Sequence, residues 1–274
     1  MPFKPMDFPR LQILTLHRRS DRLGTCIERI DAVERWPFHT PEPFYGIDGL
    51  AEGMYPPHHL WNEMDQPLSR GGWGCQMSFY FLFAKFIESG EPWLCILEDD
   101  ACFVEDFTDK VVEYLAHVPD NADCIYIGGN PRSPKQYPPI EINAHVCRPW
   151  RVTATHFCIF NQRFARDAIR WFLSPNLRQM DAQIARLHSL KDPGNRTHGG
   201  KYNVYFPRRD LAGQVMGQSD IQIIDSAEIQ EMYWGVGNNK LRPIGSDVTE
   251  RLQGPIHGEP TVADKALVAV EGGE

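Results

Sequence analysis

The sequence predicts an α/β protein, with a mostly parallel central sheet flanked by helices. Two observations carry this. Short apolar runs of strand length alternate with longer stretches at helical spacing, the pattern of strand–helix units on a parallel sheet. One of the runs, Trp93-Leu94-Cys95-Ile96-Leu97, lies between Pro92 and three adjacent carboxylates, Glu98-Asp99-Asp100, and reads as a buried strand ending in charge. Ligands of open α/β sheets bind beyond the carboxyl ends of the strands. Three carboxylates at such a point repel one another unless a cation joins them, and hard divalent ions such as Mg²⁺ or Mn²⁺ take oxygen ligands. Such an ion would hold and neutralise a phosphate-bearing ligand. The plainer alternative is a strand end followed by a solvated acidic turn.

The remaining elements follow in chain order. Leu11 to Leu16 reads as the first strand, and it runs into His17-Arg18-Arg19-Ser20-Asp21-Arg22. Guanidinium groups pair bidentately with phosphate oxygens, so three arginines at a strand's carboxyl end can meet a pyrophosphate. The alternative is a basic first turn of a helix with ordinary surface arginines. Ile27, Ile30, Val33 and Trp36 at helical spacing predict a helix over Gly24 to Trp36. Phe44 to Gly49 reads as a short strand and turn, in which Asp48 either makes a tight turn before Gly49 or accepts a ribose hydroxyl. Residues 51–72 look like a loop able to carry acceptor contacts. Gly71-Gly72-Trp73-Gly74 continues it, and an apolar helix spans Cys75 to Ile87, with Ser78 near its start as a polar group aimed at the ligand.

Beyond Asp100, a helix is expected over Asp106 to His117 and a buried strand over Cys124 to Ile127, ending at Gly128-Gly129. Residues 130–150 contain five prolines and read as an irregular crossing. Val152 to Phe160 is a further strand, and Asn161 caps a helix from Gln162 to Leu173. Leu177 to Leu190 is helical, with Asp181 near its start. Tyr202 to Phe206 is a short strand. From about Gly254 no pattern persists, which predicts a flexible tail over 254–274.

Composition sets bounds. The 274 residues suffice for one large α/β domain, and 42% hydrophobic with 23% charged residues is ordinary for a globular chain. Net charge −8 argues against a general affinity for nucleic acid, though not against a local basic groove. Seven cysteines stand singly with no CxxC pair, which suits a reducing compartment and excludes a structural zinc of the usual spacing. The N-terminus carries Pro2, Pro5 and Pro9 with no apolar leader, and no run reaches the length of a membrane span. The expectation is a soluble, intracellular, cytoplasmic protein.

Several segments combine into a recognisable order. They are Leu14 to Arg22, Gly46-Ile47-Asp48-Gly49, Gly74-Cys75-Gln76-Met77-Ser78, Ile96 to Asp100, Thr153 to Phe157, Asp181, and Pro207 with Gln214, Ser219, Asp220 and Ile221. In this order the sequence resembles glycosyltransferase family 25, which includes lipooligosaccharide galactosyltransferases and the collagen galactosyltransferase domain. It departs where Phe79 replaces the family's usual histidine, and where Ala154-Thr155-His156-Phe157 replaces a Gly-x-x-Ala-Tyr pattern.

The resemblance implies a GT-A fold over residues 1–253 and inverting transfer of a hexose from a nucleotide sugar, UDP-glucose or UDP-galactose. It implies that Glu98 and Asp100 hold Mn²⁺ or Mg²⁺, with Asp99 a third ligand or a ribose contact. Leu16, Arg18, Arg19, Arg22 and Asp48 would embrace the nucleotide with Ser78 nearby, and Asp181 would be the base. A further metal ligand would come from His156, Asp220 or His257. The expected acceptor is a saccharide. A second reading is a DNA glycosyltransferase acting on 5-hydroxymethylcytosine, resting on Arg148, Arg151, Arg163, Arg166, Arg170 and Arg208-Arg209. A third is a non-catalytic nucleotide-sugar-binding protein. A metal-dependent phosphohydrolase ranks last, since no second His/Asp cluster for a two-metal site is visible.

Overall fold

The computed structural model describes residues 2–8, 10–51, 53–54, 70–131, 138–173, 180–188 and 200–215. In chain order the elements are β1 (Leu11–Thr15), α1 (Ser20–Asp31), β2 (Glu42–Tyr45), α2 (Arg70–Ser89), β3 (Trp93–Glu98), β4 (Ala101–Phe103), α3 (Phe107–His117), β5 (Cys124–Pro131), β6 (Ile140–Glu141), β7 (Val146–Arg148), β8 (Val152–Asn161), α4 (Gln162–Phe172), α5 (Met180–His188), β9 (Val204–Pro207) and β10 (Ala212–Gln214).

Side-chain alternation splits the central strands between two cores. On β3, Cys95 and Leu97 face one core with Ile30 of α1 and Val111 of α3. Leu94 and Ile96 face the other, with Phe79 of α2, Phe164 of α4 and Ile184 of α5. β5 and β8 divide in the same way, Ile125 and Phe157 against Tyr126 and Phe160. A strand covered by helices on both faces has no polar side, which is why these runs are continuously apolar.

The strand order is β2-β1-β3-β8-β5-β9-β7-β6. β1 pairs in parallel with β2 and β3, and β5 pairs in parallel with β9. β8 lies antiparallel between β3 and β5, so those two still point the same way. The expected sheet, mostly parallel and flanked by helices, is therefore present. Its carboxyl ends share one edge, and β8 enters at that edge by its beginning. β10 pairs in parallel with β5 and antiparallel with β4, delivering Gln214 opposite Ala101.

Several boundaries differ from the sequence reading, for physical reasons. α1 ends at Asp31, and Trp36 instead stacks on Phe107 and Phe157 in the core, an apolar contact that mimicked helical spacing. α2 begins at Arg70, so Gly71 to Gly74 are helical rather than loop. Gly74 is there for close approach: a Cβ on it would lie 2.5 Å from the backbone nitrogen of Gly49. β2 ends at Tyr45, because residues 46–49 turn onto α2. The proline-rich crossing contains a β6–β7 hairpin. Asn161 caps α4 as expected, its side chain accepting from the Phe164 amide at 2.8 Å. All seven cysteines are free thiols.

Candidate active site at the carboxyl edge of the sheet

The acidic turn after β3 is held from three sides. The Asp99 amide donates to the Leu14 carbonyl of β1 at 3.2 Å, and the Thr15 hydroxyl donates to Asp99 Oδ2 at 2.7 Å. From α1, Arg29 donates to the carbonyls of Ala101 and Asp99 at 2.7 and 2.8 Å. From β10, Gln214 donates to Asp100 Oδ2 at 2.8 Å. Arg22, two helical turns before Arg29, places one guanidinium nitrogen 3.5 Å from Asp99 and 3.6 Å from Asp100.

β8 completes the cluster. Its antiparallel register pairs Leu97 with Phe157, and one step further that register sets His156 opposite Glu98. The Thr155 hydroxyl donates to Glu98 Oε1 at 2.5 Å, and His156 Nδ1 lies 3.6 Å from Glu98 Oε2. Glu98, Asp100 and His156 each offer a ligand atom within 4.8 Å of one another. Asp100 Oδ1 and His156 Nδ1 are buried without a hydrogen-bond partner. Two carboxylates and an imidazole this close together, with an unpartnered buried atom on each of Asp100 and His156, fit a divalent cation.

Electrostatics says the same. Burial pushes Asp99 up to about 6, with Asp100 and Glu98 adding to the rise while Thr15 and Arg22 oppose it. Asp100 is raised by burial and then by Glu98. Burial pulls His156 down, but the Glu98 carboxylate beside it and the charges of Asp100 and Asp181 overcome this and raise it. The fold gathers three carboxylates here, and of the nearby arginines Arg22 faces them while Arg29 is taken up by backbone carbonyls.

The other predicted residues divide. Arg18 pairs with Asp48 at 2.6 Å, and Asp48 also accepts from the Leu50 amide at 3.0 Å, so it makes the turn anticipated for it. Arg19 pairs with Asp21, and Leu16 is half-buried with its carbonyl accepting from the Arg19 amide. Ser78 is buried. Its oxygen accepts from the Ile47 amide and donates to the Gly74 carbonyl, both at 2.7 Å, so its hydroxyl holds the 46–49 turn on α2. It also lines a cavity of about 280 Å³ with Phe44, Tyr45, Gly46, Ile47 and Phe81. The Tyr45 ring stacks on His17 at 3.8 Å. Asp181 Oδ2 accepts from the Ala154 amide at 3.0 Å, and Oδ1 from the Ala182 amide at 2.7 Å. Asp220, His257 and the tail 254–274 lie outside the described residues.

Sequence reasoning passed over Thr155, Gln214 and Arg29. Gln214 and Thr155 stand within quoted motifs without a role, and Arg29 carries no local signal. Of the arginines considered for DNA, Arg163 pairs with Asp123, Arg170 with Asp167 and Arg208 with Glu141, and Arg148 donates to the Tyr202 carbonyl. Among the described residues, no helix is long and apolar enough to cross a membrane.

Comparisons with known proteins bear on the class. The family model described as glycosyltransferase family 25 (LPS biosynthesis protein) matches residues 18–145, which include the arginine turn, the 46–49 turn and the acidic strand end. A "Procollagen lysyl hydroxylase and glycosyltransferase" from Acanthamoeba polyphaga mimivirus is 24% identical over 159 residues. That match takes in 51% of this chain and 17% of the relative's length. Two solved structures align weakly. One is a glycosyltransferase involved in the glycosylation of the major capsid of PBCV-1, with TM-score 0.35, 12% identity, 77% of this chain and 95% of that one. The other is A197 from STIV, with TM-score 0.34, 10% identity, 76% of this chain and 86% of that one. Scores of this size do not establish a shared fold. The family match and the mimivirus relative support a glycosyltransferase. Over residues 18–145, just under half of its length, the chain is similar to glycosyltransferase family 25.

Proposed function

We propose that this chain is an inverting, metal-dependent hexosyltransferase of GT-A type, moving glucose or galactose from a UDP-sugar to a saccharide hydroxyl. The observation that carries it is the convergence of Glu98, Asp100 and His156 at the carboxyl end of β3. Glu98 and Asp100 would hold Mn²⁺ or Mg²⁺, with His156 completing the set named from sequence. When bound, the ion supplies charge neutralisation on the departing diphosphate. Asp99, fixed by Thr15, faces the ribose side, and Arg18 and Arg22 meet the phosphates. The cavity beside Tyr45 lies at the end of β2, two strands from β3. At ~4.8 Å per strand that is about 10 Å, within reach of a nucleotide that spans from base to diphosphate.

The acceptor hydroxyl attacks the anomeric carbon as the bond to the diphosphate oxygen breaks, and its proton passes to a carboxylate, for which Asp181 is the candidate. A saccharide is preferred to DNA because the net charge is −8 and four of the arginines that favoured DNA are already engaged. The test combines two measurements. Calorimetric titration with UDP and Mn²⁺ should show metal-dependent binding that Asp100→Ala abolishes while far-UV circular dichroism is unchanged; undiminished affinity would remove these carboxylates from the site. Mass spectrometry after offering UDP-glucose and UDP-galactose to oligosaccharides and to DNA carrying 5-hydroxymethylcytosine should find sugar on the oligosaccharide. Sugar on the base alone would reverse the acceptor assignment.

A further inference from the structure

Ala154 stands in the left-handed region at φ 58°, where a side chain crowds the following carbonyl. It immediately precedes Thr155 and His156, the two β8 residues that address Glu98. Its amide donates to Asp181 Oδ2 at 3.0 Å, across 27 residues of sequence, and the second Asp181 oxygen is anchored by the Ala182 amide. No glycine relieves the kink. An unfavourable backbone state persists only where its surroundings over-determine it, and such states gather at functional sites.

We infer that Asp181 is a positioning residue: its carboxylate clamps the strained Ala154 kink and thereby aims Thr155 and His156 at Glu98. The inference rests on the metal-site reading given above and deepens it, since the geometry of one cation ligand would then be set by a residue on α5. A β8 that relaxed at Ala154 would rotate His156 off the register that β3 imposes at Leu97 and Phe157. This role is distinct from proton abstraction, and the two separate experimentally. A base acts on metal affinity only through its charge, which a glycine at 154 cannot replace. A clamp acts through the Ala154 backbone, so glycine at that position restores what its loss removes.

The test uses wild type, Asp181→Ala, Ala154→Gly and the double variant of the full chain. Two readouts are taken: Mn²⁺ affinity by calorimetry without acceptor, and hydrogen exchange of the 150–158 segment in metal-free protein. Asp181→Ala should weaken Mn²⁺ about tenfold, the scale of one residue's left-handed penalty, and raise exchange in the segment. Ala154→Gly in that background should recover most of both, because glycine takes φ 58° without penalty. Unchanged exchange in Asp181→Ala, or loss that glycine does not restore, would overturn the clamp. Metal-free exchange keeps the outcomes separable. A wild type that binds no Mn²⁺ yet shows the expected exchange pattern would sink the metal reading and leave the clamp standing.

Discussion

Asp99→Asn should make the metal-free protein more stable at neutral pH. Asp99 is 7% exposed and its carboxyl is held near 6 against an ordinary 3.8, chiefly by burial. Above pH 6 the folded chain carries a charge that its surroundings disfavour. The gap from 3.8 to about 6, at about 1.4 kcal/mol per pH unit, corresponds to about 3 kcal/mol of destabilisation. Asparagine keeps an oxygen for the Thr15 hydroxyl but gives up the long contact to Arg22, so a net gain of about 2 kcal/mol is expected. The sign with pH is definite. Between pH 3.8 and 6 the folded state binds the proton more than the unfolded state does, so wild-type stability from this group falls as pH rises through that window. The advantage of the variant is accordingly absent below about pH 4 and complete above about pH 6. Thermal and urea unfolding in EDTA at pH 4.0, 5.0 and 7.5 measure it, and the gain at pH 7.5 amounts to roughly 4–8 °C in Tm. A variant equal to or less stable than wild type at pH 7.5 would refute the reasoning. It would mean that Arg22 and Thr15 already compensate the charge.

Two further outcomes follow from the same geometry. Ser78→Ala should cost about 1–3 kcal/mol in urea unfolding, because the Ile47 amide loses its acceptor beneath α2; a cost under 0.5 kcal/mol, taken as roughly the noise of a surface change, would show that the 46–49 turn stands without it. Arg18→Ala should weaken UDP more than uridine in calorimetry while altering stability by less than about 1 kcal/mol, since the Arg18–Asp48 pair is a partly exposed surface pair. Equal losses for both ligands would remove this arginine from the phosphates.

Much of the architecture was legible in the chain itself. Runs such as Leu94 to Leu97 are apolar because helices cover both faces of the sheet, and that demand is written locally. The Asn161 cap and the acidic cluster at the end of β3 are local as well. The misread start of α2 has one cause: local pattern cannot distinguish a glycine in a loop from one required by close packing. Gly71 to Gly74 read as a break, yet the glycine there lets α2 approach the 46–49 turn, a contact with residues about 25 positions away.

The site divides along the same line. Sequence alone determined that three carboxylates end a buried strand, that arginines follow another, and that a cation-assisted phosphate ligand suits both. It left His156 as one of several ligand candidates and gave Thr155 and Arg29 no role. Those assignments depend on β8 running antiparallel beside β3, in a register that sets His156 opposite Glu98 across 58 positions of chain, and on Asp181 reaching the Ala154 amide. Strand register is decided by which faces the whole sheet must bury, a cooperative outcome of packing, and no window of local sequence contains it.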